Sequence, residues 1–259
     1  MVATSSPWLP TAVALLLLAA IATTGLIGFR IPRPAAVVSA LARAGLQLAL
    51  LSLILSSIIN DPRLVALGLS VMFAAAVFTA ARRSRRPVRR VGPLAAAMLA
   101  GPLAIGVVVF STGAIEFSPR YVLAIGGIVI GNTMTIAILT ERIFASDVLA
   151  HWPEVEGWLA LGATARQSTL SLARAAIQTA LLPSVDQTRT TGIVVLPGAF
   201  VGAIFAGASP VEAARFQLVV LASILAAGVL TSTLLLRLTG AVAQRPEDPA
   251  TETKSSAAR

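Results

Sequence analysis

Residues 120–140 read RYVLAIGGIVIGNTMTIAILT. Between Arg120 and Glu141 there is no charge. At ~1.5 Å of rise per residue a helix over this stretch is about 30 Å long, the thickness of a bilayer's hydrocarbon core. The pair Gly127 and Gly131 gives it a small-residue packing spacing. Asn132, Thr133 and Thr135 fall near its middle. Such polar groups in lipid call either for interhelical hydrogen bonds or for a polar path to line.

Working outward, six further stretches have the same character: 10–29, 36–59, 64–81, 93–115, 190–208 and 213–237. The first lacks a basic segment before it and is long for a signal peptide, so it is expected to be retained. Pro197 inside 190–208 is tolerated if neighbouring helices satisfy the freed backbone groups. Over the 259 residues 56% are hydrophobic and 12% charged, too few charges to cover a soluble domain. Composition therefore excludes a soluble enzyme, a disordered chain and a nucleic-acid-binding domain. The expectation is an all-α, polytopic membrane protein. Its transmembrane domain spans 1–243 and a disordered tail follows over 244–259. With no cysteine and one histidine, His151, disulfide frameworks and Cys/His metal sites are also excluded.

The basic residues give orientation. Arg30, Arg33, those within the run 82–90, Arg142, Arg166, Arg174, Arg189, Arg237, Arg245, Lys254 and Arg259 make sixteen of the twenty Lys and Arg. All fall in odd-numbered loops or the tail. Arg63, Arg120 and Arg215 fall in even loops, and Arg43 within the second span. This places the N-terminus outside and the C-terminus in the cytoplasm. The run 82–90 reads as a topology signal touching anionic lipid heads, with no nucleic-acid partner.

The loop 141–189 is too long for a connector. Pro153 and Glu154 open one helix, with a proline and an acid at its positive end. Gly162 and Ala163 break it, and a second helix runs from about Thr164 to Leu182, stopped by Pro183. Leu170, Ala173, Ile177 and Leu181 form an apolar stripe there, and Gln167, Ser171, Arg174 and Gln178 a polar one. The pattern suits either an amphipathic helix on the membrane surface or a docking element for a cytoplasmic protein.

Glu156, Leu161, Gly162 and Ala163, followed by Leu182 and Pro183, resemble the cytoplasmic coupling loop of ABC transporter permeases. More closely, the chain resembles the FetB-type iron export permeases, which are related to plant aluminium-tolerance half-transporters. The resemblance runs from about Arg43 to Leu238. It rests on Arg43-Ala44 with Gln47-Leu48, Ile115-Glu116-Phe117, Gly131-Asn132 with Met134, and Leu159 with Leu161-Gly162-Ala163-Thr164. Further pieces are Arg174, Ile177, Leu181, Pro183, Val185-Asp186, Thr191-Gly192, Leu196-Pro197-Gly198, Gly202, Ile204-Phe205-Ala206-Gly207, Pro210 and Gln217. Ala199 and Phe200 stand where relatives often carry methionines, which argues against a methionine ladder at that point. The resemblance implies a permease subunit of an ABC exporter in the plasma membrane, forming a homodimer. It also implies a separate ATPase partner that uses ATP and Mg. The chain binds no cofactor itself: its only lysine, Lys254, lacks the glycine-rich context of a phosphate loop.

Candidate ATPase-coupling residues are then Glu154, Glu156, Leu161, Gly162, Ala163 and Arg174. Candidate pathway residues are Arg43 and Gln47, four apart on one face, with Asn132, Met134, Thr135, Pro197 and Gly198. Arg43 also fits snorkelling to the interface. Glu116, Asp61 and Glu212, all on the outer side, are candidate cation-receiving carboxylates, or simply solvated loop-end charges. Other cargo (another metal or a nucleotide sugar), a gradient-driven carrier and an intramembrane enzyme are the competing readings.

Overall fold

The computed structural model describes residues 8–59, 61–83 and 91–245. It is all-helical apart from one isolated bridge between Thr191 and Val195. Residues 84–90, which hold most of the basic run, and 246–259, most of the expected tail, lie outside the described residues. The chain divides into two units, 1–59 and 60–259.

The first unit is a helical hairpin of α1 (Trp8–Gly28) and α2 (Ala35–Ile58). Its turn is made by Arg30 and Arg33, both with positive φ. The Ile31 N–H closes back onto the Leu26 carbonyl at 2.9 Å. Both helices are long and apolar enough to cross a membrane, where expected.

The second unit holds α3 (Pro62–Arg83), α4 (Val91–Ser111), α5 (Pro119–Ala150), α6 (Trp152–Ala160), α7 (Ala165–Ser168), α8 (Leu170–Thr190), α9 (Gly198–Phe205) and α10 (Pro210–Thr239). The two longest, α5 and α10, form the core. Around them pack α3, α4 and α8, with α9 against α10 and α6 against α5. Glycines set the closest approaches. A Cβ on Gly101 of α4 would lie 2.9 Å from the Ala227 carbonyl oxygen, and one on Gly228 would lie 2.5 Å from Ile136 Cδ1 and 3.1 Å from Leu181 Cδ2. So α4, α5 and α8 all reach α10 within one turn of each other. Of the expected Gly127–Gly131 packing pair, Gly127 meets Met72 but Gly131 has no neighbour within 4 Å of an added Cβ.

Six helices among the described residues are long and apolar enough to span: α1 to α5 and α10. The expected span at 190–208 is not a continuous helix. The chain turns at Gly192 (φ +87°), forms the eight-residue α9 after Pro197, and turns again at Gly207 (φ +96°). Two left-handed turns within that stretch cannot be accommodated in a helix.

The expected second helix of the loop is corrected in its bounds. After the short α7 it starts at Leu170 and runs through Pro183 to Thr190, and it lies lengthwise in antiparallel register along α10. Thr169 Oγ1 donates to the Gly240 carbonyl at 2.7 Å. Leu181 stands level with Gly228, and Thr191 shares a cavity with Gln217. Each step along α8 is thus matched by one step back along α10. Ala173, Ala176 and Ala180 are the buried residues of this helix, which packs against α5 as well as α10, and small residues let helices approach closely.

Candidate functional site

Three regions carry the candidate residues. The first is the α6–α7 turn, at the end where α8 begins and α10 finishes. Trp152 and Val155 are buried against α5 and α8 and anchor α6. The opposite side of α6 presents Glu154 and Glu156, both exposed, while Trp158 is 53% and Leu161 83% exposed. Gly162 takes φ +90°, which reverses the chain before half-buried Ala163. A capping box then restarts the helix, with Thr164 Oγ1 accepting from the Gln167 N–H at 3.3 Å and Gln167 Oε1 accepting from the Thr164 N–H at 2.9 Å. Of the coupling candidates only Arg174 stands apart, exposed on α8 more than a turn beyond Thr169. Trp158 was missed as a candidate. An exposed tryptophan beside an exposed leucine was readable from helical spacing only with the buried face known.

The remaining polar candidates lie along the helices, on α2 in the first unit and on α5 and α8 in the second. Asn132 Nδ2 donates to the Ile128 carbonyl at 2.9 Å, and Thr135 Oγ1 to the Gly131 carbonyl at 3.2 Å. Gly131 and Thr135 are exposed and Asn132 half-buried, so this side of α5 is open. Met134 instead packs into the core with α3, α4 and α10, and does not share a face with Asn132 and Thr135. Arg43 and Gln47 are both exposed on α2. On α8 the stripe of Ser171, Arg174 and Gln178 is exposed throughout, and Asp186 pairs with Arg189 at 3.6 Å. Glu141, expected as the first loop residue, is a buried residue of α5.

The third region is the opposite end. Glu116 and Glu212 line one cavity of about 640 Å³ together with Arg120, Arg215 and Tyr121. Arg215 donates to the Ala114 carbonyl at 3.0 Å, tying α10 to the α4–α5 loop. Glu212 Oε2 accepts from the Ser209 N–H at 3.0 Å and the Ser209 hydroxyl at 2.8 Å, so it serves as a helix cap. Asp61 does not line this cavity; it accepts from the Arg63 N–H at 2.8 Å at the start of α3. Two of the three expected carboxylates, Glu116 and Glu212, therefore share this cavity with two guanidinium groups, while Asp61 is spent on a cap outside it. Among the described residues no three His, Cys, Asp or Glu side chains gather as a metal site. Pro197 is buried and Gly198 exposed, where α9 starts beside a second cavity of about 320 Å³ that also holds Gln217.

A family model described as "Uncharacterised protein family (UPF0014)" matches residues 8–242. The chain belongs to the UPF0014 family. Among similar UPF0014 and related proteins is the "UPF0014 membrane protein STAR2" of Oryza sativa subsp. japonica, 35% identical over 75% of this chain and 69% of that protein. "Protein ALUMINUM SENSITIVE 3" of Arabidopsis thaliana is 34% identical over 73% of this chain and 70% of that one. The "Probable iron export permease protein FetB" of Escherichia coli (strain K12) is 32% identical over 76% and 77%. No solved structure matches the chain. The family match makes this a multi-pass membrane protein of a permease family, in line with its long apolar helices.

Proposed function

We propose that this UPF0014 chain is the permease subunit of an ABC exporter, working as a homodimer in the plasma membrane with a separate ATPase that consumes ATP and Mg. The observation that carries the reading is the α6–α7 turn. Trp158 and Leu161 are exposed on a short helix anchored by two buried residues, beyond the end of α10. Large apolar groups outside the bilayer are unfavourable in water and fit a protein cleft. Glu154 and Glu156 beside them add charge complementarity for a basic partner.

In this reading α8 is the sixth crossing and α10 the seventh. At 21 residues, α8 is about 31 Å long, enough to span. Its polar stripe cannot face lipid, so it faces a water-filled path or the second copy. Sixteen basic residues on one side then become fourteen, with Arg189 moved to the opposite end and Arg174 within a span. Four remain outside, and the bias still puts the α6 end in the cytoplasm. The cargo follows from the relative named as a probable iron export permease: a metal cation, held weakly.

The test is reconstitution with candidate ATPases. Copurification and stimulated ATP turnover are expected for the unmodified chain, and both fall on Leu161→Asp. If Gly162→Pro or Leu161→Asp left association and turnover intact, the coupling role of α6 would be wrong.

A further inference from the structure

At the end of α8, Gly192 folds the chain back, so that the Gly192 N–H reaches the Val195 carbonyl at 2.9 Å. The Thr190 carbonyl accepts from Val194 at 2.9 Å and from Val195 at 3.2 Å, and from Ile193 at 3.3 Å. It is saturated. The carbonyls of Thr191, Gly192 and Leu196 accept no hydrogen bond from the described residues. All three residues line the 320 Å³ cavity between this break, α9 and α10. Gln217 of α10 lines it too, and is only 6% exposed. Its side-chain oxygen is buried with no hydrogen-bond partner. A buried amide oxygen without a partner is costly and rare.

The residues around the cavity therefore bring unused acceptors together with the negative end of α8. It contains no carboxylate, thiolate or imidazole. Broken helices beside such a break are where transporters coordinate cations through unwound carbonyls. Neutral oxygen donors suit a hard divalent cation that keeps part of its water shell, and bind it weakly.

We infer that the break at 191–197 and the Gln217 amide form a weak, all-oxygen site for a partly hydrated divalent cation. The inference rests on the transport reading only for its purpose, since the site itself is tested without an ATPase. Thr191 Oγ1, which donates to the Gln187 carbonyl at 2.7 Å, keeps lone pairs for a bound water. The apolar side chains beside it, half-buried Phe200 and buried Leu221, lower the local dielectric and strengthen these few contacts.

The probe is Mn²⁺ alone, titrated into the full-length chain in lipid nanodiscs and read by its electron paramagnetic resonance signal. Unmodified protein is expected to bind in the sub-millimolar to millimolar range typical of weak oxygen sites. Gln217→Leu is expected to lose at least about tenfold in affinity, and Gln217→Glu to gain. Thermal unfolding with and without Mn²⁺ is the second readout, because a bound ion stabilises only the folded form that binds it. If Gln217→Leu does not fold, Gln217→Met keeps the length without the amide and takes its place. Equal Mn²⁺ affinity in the unmodified and amide-free chains overturns the site, as does absence of saturable binding in the unmodified chain. Either result leaves ATPase association untouched. Failed association with the Mn²⁺ result intact would instead count against the permease reading.

Discussion

The stretch 190–208 and the helix α8 exchange roles between sequence and structure. The first is apolar almost throughout, yet past Thr190 only Gly198–Phe205 is helical. The second carries Arg174, Gln178, Asp186, Gln187 and Arg189 and a central proline, yet it is a continuous helix of 21 residues held along α10. Hydropathy and helical continuity rank them in opposite orders, because hydropathy averages over faces. In α8 the buried face is three alanines, which score modestly but let backbones approach. In 190–208 the branched side chains of Ile193, Val194 and Leu196 raise the score, while Gly192 and Gly207 decide the conformation. In the proposed permease α8 borders a polar path and needs only one apolar side, so a window average would under-read it.

The most disruptive way to break this comparison is at the contact that locks α8 in place. Gly228→Leu drives side-chain atoms into Ile136 and Leu181 and is expected to cost about 2–3 kcal/mol of stability. Thermal unfolding in nanodiscs measures it. A variant as stable as the parent would mean that α8 does not rest there.

Next comes accessibility. The chain has no cysteine, so single cysteines report cleanly. With α8 beside a water-filled path, Gln178→Cys and Arg174→Cys should react with a membrane-impermeant maleimide several-fold faster than Leu225→Cys on α10. Equal and slow labelling at all three would remove the polar face from the path.

A smaller effect is expected at the hydrogen bond that fixes the start of α8. Thr169→Val removes the 2.7 Å bond to the Gly240 carbonyl and leaves that oxygen unpaired, costing roughly 1–2 kcal/mol. The expected signature is faster amide exchange in 165–175, with the rest of the chain unchanged. The smallest effect sharpens the reading of Pro183. Its ring is already accommodated within α8, so Pro183→Ala should shift stability by less than about 1 kcal/mol. A large loss would show that the ring is required for the shape of α8.

Much of the architecture was legible in the residues. Six of the seven expected spans fall on long helices: five agree within four residues at each end, and α5 runs ten residues past the expected end at 140. The Pro153 start, the Gly162 reversal and the Thr164 restart were each readable, because proline, a left-handed glycine and a capping box act locally. What escaped depended on packing across long separations. Nothing near Thr169 in the chain announces Gly240 as its partner. Nor does the neighbourhood of Gln217 show that its amide oxygen is sealed without a donor. The three candidate carboxylates are a related case. Asp61 and Glu212 occur where helices start, and the capping role that such positions favour competes with any role as a cation ligand.

The bond between Thr169 and Gly240 also has a mechanical meaning. It clamps the near end of α8 to the finish of α10, directly after the short segment that would take up a partner's push. From there the next interruption of regular helix is the break at 191–197. A helix resists shortening far more than a loop resists bending, so in the proposed permease α8 would act as a pushrod. Work delivered at the α6–α7 turn would be converted into strain at 191–197, where the backbone has no helical ladder to resist it.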